Sequence, residues 1–159
     1  MEVSVSAEPL TRAGSPEAFV WFWEEAFRAP AVDDFVDAFL PLLHPDVRLH
    51  QPIAPTAHGV RGFERQFREL FSLWPDLSVK ADHWAARDEF VYIWFTMSAT
   101  IGGRHKSWRA IDRFRFVDGL IIERVHVFDP LPLLPAVLLA PSSWPRLLGW
   151  SLRGALKRR

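Results

Sequence analysis

Residues 108–130, WRAIDRFRFVDGLIIERVHVFDP, decide how the rest of the chain is read. Two runs rich in β-branched and aromatic residues flank Asp118-Gly119, and a short Asp-Gly linker between such runs is the strongest local signal for a β-hairpin. Strand side chains alternate between two faces, so Trp108, Ala110, Asp112, Phe114 and Phe116 share one face of the first arm, and Arg109, Arg113 and Arg115 the other. Asp112 is thus an acid on an otherwise aromatic and apolar face. On the second arm Ile122, Arg124, His126 and Phe128 fall together, opposite Ile121, Glu123, Val125 and Val127. The turn decides what meets Asp112. A two-residue turn sets Val117 against Leu120 and Asp112 against Val125, whereas a three-residue loop with a glycine bulge brings Asp112 beside Arg124 and His126.

Working back from the hairpin, alternation predicts strands over 77–86 and 89–101, joined at Arg87-Asp88, with Gly102-Gly103 turning the chain into a long strand over 104–116. Residues 120–128 close the sheet. Further back the period becomes helical. Ser15-Pro16-Glu17 is a helix start with Ser as N-cap and Pro in the first turn, and Phe19, Val20, Trp23, Ala26 and Phe27 make its apolar stripe. A second helix begins near Asp33-Asp34 and buries Phe35, Val36, Phe39, Leu40 and Leu43, with Pro41 as kink or stop. The segment 44–47, HPDV, turns into a short strand over 47–51, and a loop carrying His58 leads to a third helix over 63–74 with Phe63, Phe67, Leu70 and Phe71 on one face. Helices first and then a meander of strands predict an α+β fold, helices packed on one face of a bent sheet.

The chain of 159 residues has the size of one domain, and 49% hydrophobic residues suffice for a core. Lys plus Arg (19) balance Asp plus Glu (19), so a general nucleic-acid-binding face is unsupported. There is no cysteine, which excludes disulfides and thiolate chemistry and makes a reducing cytoplasm the expected setting. The start, MEVSVSAEPL, has neither a basic end nor an apolar signal core. Thirteen Phe and eight Trp are more rings than a small core needs, so some are expected to wall an apolar pocket. Residues 1–14 read as a loose tail, 15–130 as the domain, and 131–159 as a proline-rich apolar and basic extension. That extension caps the pocket or a dimer surface, with contact to anionic lipid as the lesser alternative.

Three helices followed by a meander that ends in FRFVDGLIIERVHVFDP, with HPDV after the second helix and a glycine-containing loop before the third, resemble the NTF2-like fold. Within it the chain is similar to the SnoaL-like group of polyketide cyclases and limonene-epoxide-hydrolase-type enzymes. The resemblance covers roughly residues 15–130. It implies a cone-shaped barrel, three N-terminal helices closing one end of a strongly curved, mostly antiparallel sheet around an apolar cavity, and a homodimer through the sheet. It also sets His126 where those cyclases carry a catalytic aspartate on the last strand, and Asp112 where they carry a cavity histidine on the strand before. His50 or Gln51 falls near a cavity asparagine. The acid and the imidazole have exchanged places. The middle strand, VYIWFTMSAT, lacks the charges that epoxide hydrolases use to activate water.

An imidazole oriented by a carboxylate accepts a proton near neutral pH. In an apolar pocket such a pair can take a proton from the carbon beside a carbonyl and return it elsewhere. The expected chemistry is therefore cofactor-free: aldol-type cyclisation, isomerisation or dehydration of a hydrophobic carbonyl compound. His126 is base, Asp112 its orienting partner, and His50 or Tyr92 the acid or oxyanion donor. Trp23, Gln51, Tyr92, Trp108, Phe114, Arg124 and Phe128 are the substrate-binding candidates. Each has a plainer reading: Asp112 as a structural ion pair with Arg124, His126 as a buried histidine bonded to backbone, His50 as a strand-edge residue. No metal is expected, because His44, His58, His83 and His105 lack ligand spacing. The competing hypothesis is a non-catalytic dimer that binds an apolar ligand or a protein partner. Asp112 and His126 on opposite faces, or a cavity filled by Trp and Phe rings, would favour it.

Overall fold

The Ser15 hydroxyl accepts a hydrogen bond from the Ala18 amide at 3.2 Å, and Pro16 occupies the first turn, where its missing N–H costs nothing. Helix α1 therefore begins where the sequence places it and spans Pro16–Ala26. The computed structural model describes residues 11–29, 31–52 and 54–131. Helix α2 spans Val32–Phe39 with Asp33 and Asp34 in its first turn, and Pro41 limits its continuation to one tight turn, Leu40–Leu42. Strands β1 (Leu43–Gln51) and β2 (Ala54–His58) follow, then helix α3 (Gly59–Leu73), then β3 (Ser78–Arg87), β4 (Phe90–Ile101), β5 (Arg104–Val117) and β6 (Leu120–Phe128).

The six strands form one sheet in the order β2-β1-β6-β5-β4-β3, antiparallel throughout except for the parallel β1–β6 pair. The architecture is α+β, three helices on a curved, mostly antiparallel sheet. The expectation of three helices ahead of the sheet is corrected, because β1 and β2 separate α2 from α3. Strand β2 was hidden in the sequence by Pro55. A proline is tolerated there because β2 is an edge strand and need not donate on its outer side.

Two arms meet at Asp118-Gly119 with φ of 51° and 76°, the paired left-handed residues of a two-residue hairpin turn, and Val117 stands opposite Leu120. Continued unbroken, that register would put Asp112 against Val125. The ladder instead slips once: Phe116 pairs with Ile121, but Arg115 pairs with Glu123, so Ile122 is an extra residue on β6. From there Phe114 faces Arg124 and Asp112 faces His126. The structure combines the tight turn of one sequence reading with the side-chain parity of the other. Ile121 consequently joins Arg124 and His126 on the buried face, not the opposite one.

Residues 11–14 are not loose. Thr11 is buried, bridges to Gly14, and the Arg12 amide donates to the Gly119 carbonyl at 2.9 Å, which ties the start of the chain to the last hairpin. Residues 1–10 and 132–159 lie outside the described residues, and with them the capping, dimer and lipid readings of the extension. No helix among the described residues is long and apolar enough to cross a membrane.

The helices meet the sheet ring to ring. Phe19 packs edge-on against Phe114 and Phe116 with centroids at 5.0 Å and Trp23 against Phe95 at 4.7 Å, while Phe35 of α2 meets Phe67 of α3, tilted, at 4.6 Å. Trp23, Phe35, Phe67 and Phe114, with Arg124, line a hollow of only about 10 Å³, the space of a single water. The roomy apolar cavity expected from sequence is, in this deep part, corrected to a packed aromatic core.

Candidate active site

Asp112 has no exposed surface, and it sits among Ile93, His126 and Ala110 on the inner face of β4, β5 and β6. Its two oxygens are divided between two partners. Oδ2 accepts from Arg124 Nε at 2.9 Å and Nη2 at 2.8 Å, and Oδ1 lies 2.7 Å from His126 Nδ1. Burial opposes ionisation of Asp112, but the Arg124 guanidinium and the His126 ring outweigh it and hold the carboxyl below its ordinary range. Arg124 is itself buried and lies over the Phe67 ring at 5.4 Å.

Geometry settles the histidine tautomer. An ionised carboxylate can only accept, so a 2.7 Å contact places the ring proton on Nδ1. Arg124 Nη2, 3.4 Å from the same nitrogen, is then a second donor standing nearby and not a partner. Nε2 has no hydrogen-bond partner among the described residues. The ring lies between Phe128 at 5.3 Å and Phe95 at 5.9 Å. A carboxylate-oriented imidazole with an unoccupied nitrogen in an aromatic setting is the arrangement of a general base.

Other buried polar atoms also lack partners. Trp108 Nε1, Gln51 Nε2 and both amide atoms of Gln66 are buried without a hydrogen bond. Each such orphan costs about 1–3 kcal/mol, so several in one small domain call for an explanation. Gln51 lies two residues beyond Leu49, the β1 partner of Arg124, with a register irregularity of the β1–β2 ladder between them.

Of the sequence candidates, Asp112, Arg124 and His126 are brought into direct contact. Trp23 and Phe114 line the closed hollow, Trp108 packs on Trp74 at 5.5 Å, and Phe128 is half-buried beside His126. His50 and Tyr92 are not part of this group. His50 is on the outer face, with Nδ1 3.1 Å from Thr56 Oγ1 and Nε2 3.5 Å from Glu123. Tyr92 is outside too, stacked between Phe90 and Trp94. Both sit one residue out of phase with the inner stripes, and alternation on β1 and β4 keeps them there. Gln66 was missed, although it falls three residues after Phe63 and four before Leu70, inside the apolar stripe of α3. Among the described residues no group of three or more His, Asp or Glu side chains is placed to hold a metal ion.

A curved, mostly antiparallel sheet cupped by three helices is the NTF2-like α+β fold. Within that class, the model of the SnoaL-like domain matches residues 23–124, and the chain belongs to that family. The match takes in Asp112 and Arg124 and stops two residues short of His126. A protein from Jannaschia sp. CCS1 assigned as a SnoaL-like polyketide cyclase superposes with a TM-score of 0.66 at 18% identity, over 77% of this chain and 92% of that one. IdmH of Streptomyces antibioticus, assigned as a polyketide cyclase, gives 0.64 at 19% identity over 77% and 97%. An NTF2-like protein of unknown function from Burkholderia pseudomallei gives 0.63 at 20% over 74% and 95%. At these identities the likeness is one of fold. No curated protein matches the sequence.

Proposed function

We propose that this chain is a cofactor-independent acid/base enzyme acting on a hydrophobic carbonyl compound, as an aldol-type cyclase, isomerase or dehydratase. The observation that carries the reading is the buried 2.7 Å contact from Asp112 Oδ1 to His126 Nδ1, which leaves Nε2 free. His126 Nε2 removes the proton beside the carbonyl, and the electron pair moves onto the carbonyl oxygen as an enolate. In a cyclisation the enolate carbon then attacks a second carbonyl, one C–C bond forms, and the new alkoxide takes the proton back from Nε2. Asp112 stabilises the imidazolium between those steps, and Arg124 keeps Asp112 ionised. The unpaired N–H groups of Trp108 and Gln51 serve the enolate oxygen in place of His50 and Tyr92. Substrate enters past the half-buried rings of Trp74 and Phe128.

The test needs no knowledge of the natural substrate. Wild-type protein incubated in D2O with 2-tetralone, an apolar ketone with exchangeable α-protons, should accelerate deuterium incorporation, followed by NMR. His126→Ala should remove the acceleration while keeping a cooperative melt. Exchange at the buffer rate with wild-type protein, or unchanged exchange in His126→Ala, would overturn the reading.

One observation favours the alternative, a non-catalytic NTF2-like protein binding an apolar ligand: the deep hollow is filled by rings to about 10 Å³. In that case tetralone binds without exchange. Under either reading we place the protein in the cytoplasm, as its lack of cysteine suits, and pair two copies through the outer sheet face. There Trp84, Trp94 and Val127 remain exposed, and light scattering of the full chain should return the dimer mass.

A further inference from the structure

Gln66 is the one polar residue on the buried side of α3, among Gly62, Phe63 and Phe67, with only 6% of its surface exposed. Both ends of its amide lack a partner. Its place relative to the Asp112–His126 pair follows from packing and register. Gly62 lies so close to Ala57 that an added Cβ would come within 3.2 Å of its backbone, and Ala57 pairs with Leu49, which pairs with Arg124. Further along α3, Phe67 covers Arg124 and Trp74 packs on Trp108. The helix therefore runs in the same sense as β6 and its parallel neighbour β1. Gln66 is one helical turn past Gly62, a rise of about 6 Å. Phe67, the next residue on the same buried side of α3, covers Arg124, so Gln66 is carried toward the Asp112–Arg124–His126 cluster.

We infer that Gln66 is a specificity-determining ligand residue, its amide gripping a neutral edge of the bound molecule where a hydrogen-bond acceptor and a donor sit side by side, as in a carboxamide. An amide is the side chain suited to this, since Nε2 donates while Oε1 accepts, and it offers no charge to attract a carboxylate or an ammonium group. A purely structural glutamine would have satisfied at least one atom from backbone or a neighbouring side chain. The inference rests on the inner face around His126 being the ligand site proposed above.

Calorimetry with two probes tests it: 2-naphthamide, which has the paired edge, and 2-acetonaphthone, which keeps the acceptor and lacks the donor. Wild-type protein should bind the amide roughly tenfold more tightly than the ketone. Gln66→Met, of similar volume, should erase that preference while its melting temperature stays equal or rises, because two unpaired buried atoms are removed. Gln66→Asn, which withdraws the amide by one methylene, should weaken the naphthamide selectively. A preference unchanged in both variants, or absent from the wild type, overturns the inference. If the preference survives Gln66→Met while ketone exchange still depends on His126, Gln66 fails and the base stands. If tetralone exchange is absent but the preference depends on Gln66, the base fails and the polar subsite stands.

Discussion

Asp112 is fully buried and still ionised, a state that only Arg124 and His126 make affordable. Removing its charge strands the buried guanidinium, so Asp112→Asn should lose about 3–5 kcal/mol in urea unfolding at neutral pH. Replacing both partners by apolar groups of similar size, Asp112→Leu with Arg124→Met, should recover most of that loss, since the desolvation penalty goes with the charges. The acid limb carries the same signature. With the folded pKa depressed below 3.8, the carboxylate's contribution is complete above that value and is lost as pH falls from there through the folded pKa. Unfolding measured between pH 5 and 2 should therefore be less pH-dependent in Asp112→Asn than in wild type. Asp112 was legible in the sequence because strand alternation isolates one acid on an aromatic face. Gln66 was not, because it stands beside Arg65 in the order of the chain and only the helical period puts it inside.

The final hairpin shows how an element sets the chemistry of its residues. Its turn was readable from Asp118-Gly119, whereas the extra residue at Ile122 leaves no mark among the three consecutive apolar residues Leu120, Ile121 and Ile122. Deleting Ile122 should restore the unbroken ladder with Arg115 still opposite Glu123 and Asp112 still opposite His126, so the variant should keep cooperative unfolding by near-UV circular dichroism, and loss of the cooperative transition would contradict the extra-residue assignment. Gly119, at φ 76° and with Arg12 Cγ and N 3.3 Å from any added Cβ, should cost about 1–2 kcal/mol as Gly119→Ala. Strand β1 illustrates the limit of local reading. His44-Pro45-Asp46 looks like a turn but lies within β1, at an irregularity between the Leu43–Ile121 and Arg48–Glu123 pairs, and the parallel pairing with β6 on either side of it is announced by no local pattern.

Among the described residues most phenylalanines go into filling, while Trp21, Trp84 and Trp94 stay exposed. Phe35 touches Phe27, Phe39, Phe63, Phe67 and Phe71 with no exposed surface, and Phe35→Ala should cost about 3–5 kcal/mol in the same urea assay. Composition could show that the rings were many, but not whether they wall a space or occupy it, which depends on how three helices converge on the sheet. What remains polar inside is the Asp112–Arg124–His126 cluster and a few unpaired amide and indole groups, and the functional reading depends on which nitrogen of His126 is free. Nitrogen-15 NMR of the histidine side chains, with the His126 signals assigned by their loss in His126→Gln, addresses this directly. Near neutral pH the ring proton should reside on Nδ1, with Nε2 showing the shift of an unprotonated nitrogen; a proton on Nε2 would contradict the assignment of His126 as the base.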